Sequence, residues 1–214
     1  MQQSALLRCT NNQKSIKSMA LWIIDNGHGY DTTGKCSPEW ADGSKLYEYE
    51  FNRDVASLIG YECRMNGIKF KMLVPEAKDI SLSERVRRVN ELCEKYGDCV
   101  LISIHANAGG GTGWEAFTSK GNTKSDEICE VFYEEAAHEF GKEWRIRKDT
   151  TDGDADKEAQ FTLLRQTICP AIITENFFMD TERDCRFIMS LEARERIAQM
   201  HFRAIRRIEK MWFN

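Results

Sequence analysis

Three ionisable residues fall where an apolar segment stops, and a fourth opens a helical one. His28 sits between Gly27 and Gly29 after Leu21-Trp22-Ile23-Ile24-Asp25-Asn26, His105 follows Cys99-Val100-Leu101-Ile102-Ser103-Ile104, and Glu175 follows Ala171-Ile172-Ile173-Thr174. Glu48 lies in the first turn of a stretch of helical periodicity. Two imidazoles and a carboxylate are a common catalytic zinc shell that leaves the fourth position to water. Zinc lowers the pKa of such a water toward about 7 and polarises a carbonyl, so no activated Ser or Cys is needed. His28, Glu48 and His105 can supply that shell, and Glu175 can take the water's proton and return it to a leaving amine nitrogen. Each has a plainer account alone: an ordinary glycine turn for His28, helix-dipole stabilisation for Glu48, and an ion pair with Arg183 or Arg165 for Glu175.

The elements decide between these accounts. Runs of large, partly β-branched apolar residues read as strands buried on both faces, and in open α/β sheets the carboxyl ends of such strands hold the ligand. Parallel neighbours would bring His28, His105 and Glu175 to one rim. From Leu46 to about Arg64, Phe51, Val55, Leu58 and Ile59 mark the buried face of a helix. At about 100° per residue, Glu48 falls inside that stripe and Glu50 well outside it. A carboxylate on the inward face must be paired, protonated or metal-bound.

Further along, Ile68 to Val74 reads as a strand. Ser81 opens a helix to about Tyr96, with Leu82, Val86, Val89 and Cys93 inward and its arginines outward. Trp114 to Thr118 reads as a short strand, Ser125 to Phe140 as a helix, and Leu191 to Trp212 as a final helix. His138 is expected on a polar face and His201 in the core. The basic face of the last helix, from Arg194 to Lys210, is expected to be solvated, as is the acidic stretch from Lys148 to Ala159. Its D-G-D-A-D lacks the EF-hand spacing and closing Glu. Gly109 to Gly113 lacks the Lys-Ser/Thr of a phosphate-binding loop, while Asn107 is a candidate substrate contact through its nearness to His105. The alternation predicts an α/β fold: a single domain with a central twisted, mostly parallel sheet flanked by helices.

Composition narrows the classes. A net charge of −4 gives no electrostatic case for nucleic acid, and no apolar run approaches the roughly 20 residues of a membrane span. The eight cysteines include no C-x-x-C pair, so a cysteine zinc site is not expected. Cys99, Cys129 and Cys169 lie in apolar runs, as in proteins that fold in a reducing compartment. Residues 1–18 lack the hydrophobic centre of a signal peptide and read as a disordered extension before a catalytic domain over 19–214, with Met19 as an alternative start.

The chain resembles the zinc-dependent N-acetylmuramoyl-L-alanine amidases of the Amidase_3 type from about Leu21 to Arg207. The resemblance rests on Ile24-Asp25-Asn26-Gly27-His28-Gly29, Glu48-Tyr49-Glu50-Phe51-Asn52-Arg53-Asp54-Val55-Ala56, Ser103-Ile104-His105-Ala106-Asn107-Ala108 and Pro170-Ala171-Ile172-Ile173-Thr174-Glu175-Asn176-Phe177-Phe178. It implies zinc on His28, Glu48 and His105, with Glu175 as the catalytic carboxylate. The implied reaction is hydrolysis of the amide between N-acetylmuramic acid and L-alanine in peptidoglycan. The family's usual Pro and Gly are replaced by Asn26 and Asn176, which bears on loop geometry. The stretch from Lys148 to Ala159 is too short for the long helical insertion that blocks the site in regulated members. These features suggest a monomeric phage or prophage endolysin, made in the cytoplasm and acting on the wall after release. The alternatives are a zinc peptidase cutting within the stem peptide and an inactive wall-binding relative.

Overall fold

The computed structural model describes residues 19–151 and 153–213; the expected extension over 1–18 lies outside the described residues. The chain runs β1 (Leu21–Asn26), α1 (Glu48–Met65), β2 (Phe70–Met72), α2 (Leu82–Tyr96), β3 (Cys99–Asn107), β4 (Trp114–Thr118) and α3 (Lys124–Phe140). There follow β5 (Lys157–Glu158), α4 (Thr162–Gln166), β6 (Ala171–Phe178), α5 (Glu182–Met189), α6 (Leu191–Ile208) and a π-helical turn over Glu209–Phe213. One six-stranded sheet has the order β2-β1-β3-β6-β4-β5. β2, β1, β3 and β6 are parallel, while β4 is antiparallel to β6 and parallel to β5.

Strand alternation sorts the core into two layers. Trp22, Ile24, Ile102, Ile104 and Ile172 pack with Phe51 of α1, Phe132 of α3 and Ile197 of α6. Leu21, Ile23, Leu101 and Ile173 pack with Val86 and Val89 of α2 and Leu163 and Leu164 of α4. α2, α3 and α6 start where a side chain satisfies their free N–H groups: Ser81 accepts from Glu84 N (3.2 Å), Thr123 with Asp126 forms a capping box on α3, and Ser190 accepts from Ala193 N (3.1 Å).

Four expectations change. The strand expected from Ile68 to Val74 is only three residues of edge ladder, with β1 on one side alone. On α2, Leu82 is 52 % exposed while Arg85 is 2 % exposed, because the first turns of α2 lie over the polar carboxyl end of the sheet. There Arg85 pairs with Asp25 and with Asp79 (2.7 Å). The basic face of α6 is not simply solvated, since Arg203 and Arg207 engage Glu134, Glu135 and Glu139 of α3 and Arg194 engages Asp54 of α1. The acidic stretch is solvated at Lys148, Thr150, Thr151, Gly153 and Glu158 but not at Asp156, which is 1 % exposed. One segment's periodicity reports burial, whereas these pairings depend on what another segment brings to the same place.

Candidate active site

β1, β3 and β6 are consecutive parallel strands, so their carboxyl ends share one rim. Gly27 N–H continues the ladder to Ile104 O (3.2 Å), after which His28 adopts a left-handed φ of 65°, unusual for a non-glycine residue. Gly27 is required by proximity: a Cβ there would lie 2.1 Å from His105 Cε1. α1 starts at Glu48 and carries that carboxylate, 1 % exposed, to the same rim, while Glu50 is exposed.

Glu48 Oε1 lies 3.0 Å from His105 Nδ1 and accepts from Ala106 N (3.3 Å), and its Oε2 is 3.4 Å from His28 Nε2. The imidazole rings meet edge-on at 4.9 Å. One donor atom from each of the three residues lies within 4.8 Å of the other two. His28 Nε2 and Glu48 Oε2 are both buried without a hydrogen-bond partner. Buried polar atoms are rarely left so, and two facing orphans with nitrogen and oxygen lone pairs fit a divalent cation. Burial works against the Glu48 carboxylate, but His105 and His28 beside it outweigh this and hold its pKa below the ordinary range. Burial opposes the charged form of His105 too, yet Glu48 raises its pKa.

Behind the rim, Ser103 Oγ donates to Asp25 Oδ2 (2.5 Å) and lies 3.1 Å from His105 Nε2. Asp25 is held in turn by Arg85. Asn52 Nδ2 donates to Gly27 O (2.9 Å), tying α1 to the turn. Asn176 Nδ2 donates to His105 O (3.0 Å) and its Oδ1 accepts from Trp114 Nε1 (2.9 Å), so it braces the strand end beside the register shift of β3 against β6. Asn26 is buried and its carbonyl accepts from Arg85 (3.4 Å).

Glu175 is in register with His105 on one side and Glu115 on the other, so the three share one face of the sheet. Burial pushes the Glu175 pKa up to about 7, with His105 opposing and Glu48 adding to the rise, and its Oε2 is buried without a partner. Glu115 is also buried, but Lys157 (2.5 Å) and Arg147 (2.6 Å) hold it ionised. Two neighbouring carboxylates are thus driven apart in pKa. Asn107 Nδ2 donates to Glu115 Oε1 (2.5 Å) and its Oδ1 accepts from Ala108 N (2.8 Å), so both polar ends are engaged within the protein. A cleft of about 440 Å³ opens onto His28, His105 and Glu175, walled by Lys35, Phe161 and Leu163.

Ser103, Asn52, Lys35 and Arg85 were not singled out by the sequence. Ser103 had a signal, since period-2 alternation puts it on the same strand face as His105; a lone Lys in a polar loop has none. His138 is exposed. His201 is a core residue, its Nδ1 donating to Ile197 O (2.8 Å) and its Nε2 lying 3.0 Å from Thr174 Oγ1.

Known proteins resemble this chain in sequence and in fold. The chain is 29 % identical over 189 residues to the N-acetylmuramoyl-L-alanine amidase CwlM of Bacillus licheniformis, covering 86 % of this chain and 67 % of the relative. It is 26 % identical over 190 residues to the sporulation-specific N-acetylmuramoyl-L-alanine amidase of Bacillus subtilis (strain 168), covering 84 % and 64 %. The chain therefore spans about two thirds of the length of the curated relatives it matches. The crystal structure of the N-acetylmuramoyl-L-alanine amidase from Clostridium difficile 630 has the same fold, with a TM-score of 0.74, 22 % identity, and coverage of 90 % of this chain and 97 % of that one. The N-acetylmuramoyl-L-alanine amidase family profile matches residues 23–207, which include all four strand-end and helix-start residues described above, and the chain belongs to that family, Amidase_3.

Proposed function

We propose that this amidase domain holds one zinc ion on His28, Glu48 and His105, and that Glu175 moves the protons when the amide between N-acetylmuramic acid and L-alanine is hydrolysed. The observation that carries the reading is the pair of buried, unpartnered atoms His28 Nε2 and Glu48 Oε2, with His105 Nδ1 alongside. Bound zinc would polarise the lactyl carbonyl and make water a nucleophile at neutral pH. Glu175, its pKa raised to about 7 by burial, can accept the proton of the attacking water. It then returns that proton to the alanine nitrogen as the C–N bond breaks. Phe161 and Leu163 give the cleft an apolar wall, and Lys35 Nζ lies 3.9 Å from Glu48 Oε2, so its cation stands at the edge of the proposed metal site, where stem-peptide carboxylates would meet it. Among the described residues, the segment between Ile146 and Thr162 holds β5 and no helix, which supports an enzyme open to substrate without a regulator; we take its role to be lysis or wall remodelling by a monomer.

The test is digestion of purified peptidoglycan followed by mass spectrometry. Free peptides beginning with L-alanine, together with glycan strands lacking peptides, are expected; shortened peptides still on sugar would mean a stem peptidase. Metal analysis should find one zinc per chain. Glu175→Ala should retain that zinc while kcat falls about 10²–10⁴-fold. The wild-type kcat/KM should fall on the acid side of a pKa at or below about 7, where Glu175 gains its proton; equal activity in the variant would remove Glu175 from the mechanism.

A further inference from the structure

Asp126, in the first turn of α3, and Asp154 and Asp156, in the segment leading into β5, each place a carboxylate oxygen within 4.8 Å of the others. Asp156 is 1 % exposed and its Oδ1 is buried without a hydrogen-bond partner. Its Oδ2 accepts from Thr118 Oγ1 (2.5 Å). That hydroxyl is also close to Asp126 Oδ1 (2.8 Å) and near Ser119 O (3.3 Å), so one proton faces three acceptors. Burial, followed by the carboxylates of Asp154 and Asp126 and the close approach of Asp154 to Asp156, pushes the Asp156 pKa up to about 7 against the Thr118 hydroxyl. A buried carboxylate oxygen facing like charges needs either a proton or a cation. Every donor here is oxygen, which suits a hard ion and not zinc.

We propose that Asp126, Asp154 and Asp156 form a second cation site, distinct from the zinc site, that takes calcium. Its place in the chain gives it a consequence. The segment it fastens to α3 continues through β5, whose Lys157 anchors Glu115, into Gln160 to Leu163, which wall the cleft beside His28, His105 and Glu175. Calcium would therefore hold one wall of the substrate cleft while touching no reacting atom.

The experiment is isothermal titration of CaCl2 into the full chain freed of loose metal on a chelating resin, with melting curves in parallel. One saturable site is expected with a Kd of about 10⁻⁴–10⁻³ M, and Tm should rise with CaCl2. Asp156→Asn should lose both the binding and the shift. Asp154→Asn, at a partly exposed position, gives the same reading if the first variant fails to fold. His28→Ala should bind calcium as the wild type does, so the outcome is independent of the zinc reading. The proposal is overturned if the wild type binds no CaCl2 at about 10 mM with Tm unmoved, the result expected of a proton shared by Asp154 and Asp156. It is overturned equally if both Asn variants bind as the wild type does, or if MgCl2 binds as tightly as CaCl2.

Discussion

Ser103 gives its one proton to Asp25, so its oxygen can accept from His105 Nε2–H, which with zinc bound would leave the Nδ1 lone pair, 3.0 Å from Glu48 Oε1, to the ion. The tautomer of a metal-binding imidazole is set in this way by the bond its other nitrogen makes. Asp25 can play this part in the protein interior because Arg85 neutralises it. Ser103→Ala should therefore weaken zinc binding by about 10–100-fold, measured by competition with a coloured chelator, while the circular dichroism spectrum stays as in the wild type. An unchanged zinc Kd would reduce Ser103 to packing.

At the scale of elements, the turn after β1 is set by two glycines that are needed for different reasons. A Cβ on Gly27 would meet the His105 ring, a side chain that can swing away, whereas a Cβ on Gly29 would lie 2.0 Å from Asp79 N, which is backbone. Gly27→Ala should thus lose zinc and melt where zinc-stripped wild type melts, and Gly29→Ala should lose about 1–3 kcal/mol of stability in the zinc-free protein as well; a Gly27→Ala protein with wild-type zinc affinity would contradict the close approach of His105 to the turn.

The packing of α6 on the sheet carries its own pH dependence through His201. Burial lowers its pKa from 6.5 to about 4, so the folded state binds fewer protons than the unfolded state between those values. Its contribution to stability is present above pH 6.5 and is lost as pH falls toward 4, by roughly 3 kcal/mol in all. Urea unfolding of His201→Gln at a series of pH values should show a shallower acid limb than the wild type; identical limbs would assign the acid sensitivity elsewhere.

Over the whole molecule, the three proposed zinc ligands come from β1's turn, α1 and β3, so a bound ion cross-links segments that the chain otherwise joins only through loops. A ligand that binds only the folded state stabilises it by about 2.7 kcal/mol at 100 times its Kd, which for a domain of this size is about 5–10 °C in Tm. Stripping zinc should lower Tm by that order, readdition should restore it, and Glu48→Gln should melt at the same temperature with and without zinc. Equal melting of stripped and loaded wild type would disconnect the ion from the fold.

The sequence by itself determined β1, β3, β4 and β6, the helices α1, α2, α3 and α6, the phase that turns Glu48 inward and Glu50 out, and the family, because these are written in local periodicity and in short motifs; β5, α4 and α5 are too short to leave such a signature. It also placed His28, His105 and Glu175 near strand ends. Only the tertiary structure decided that those strands are adjacent and parallel, that Arg85 is buried on Asp25 at a separation of 60 residues, and that Asp156 is enclosed against Thr118, 38 residues away. Asn176, a departure from the family pattern, acquired its role as the brace of His105 in the same way. The physical reason is common to all of them: the hydropathy of a segment reports whether it will leave water, whereas the partner of a buried charge or amide is supplied by a distant segment and exists only once the sheet has assembled.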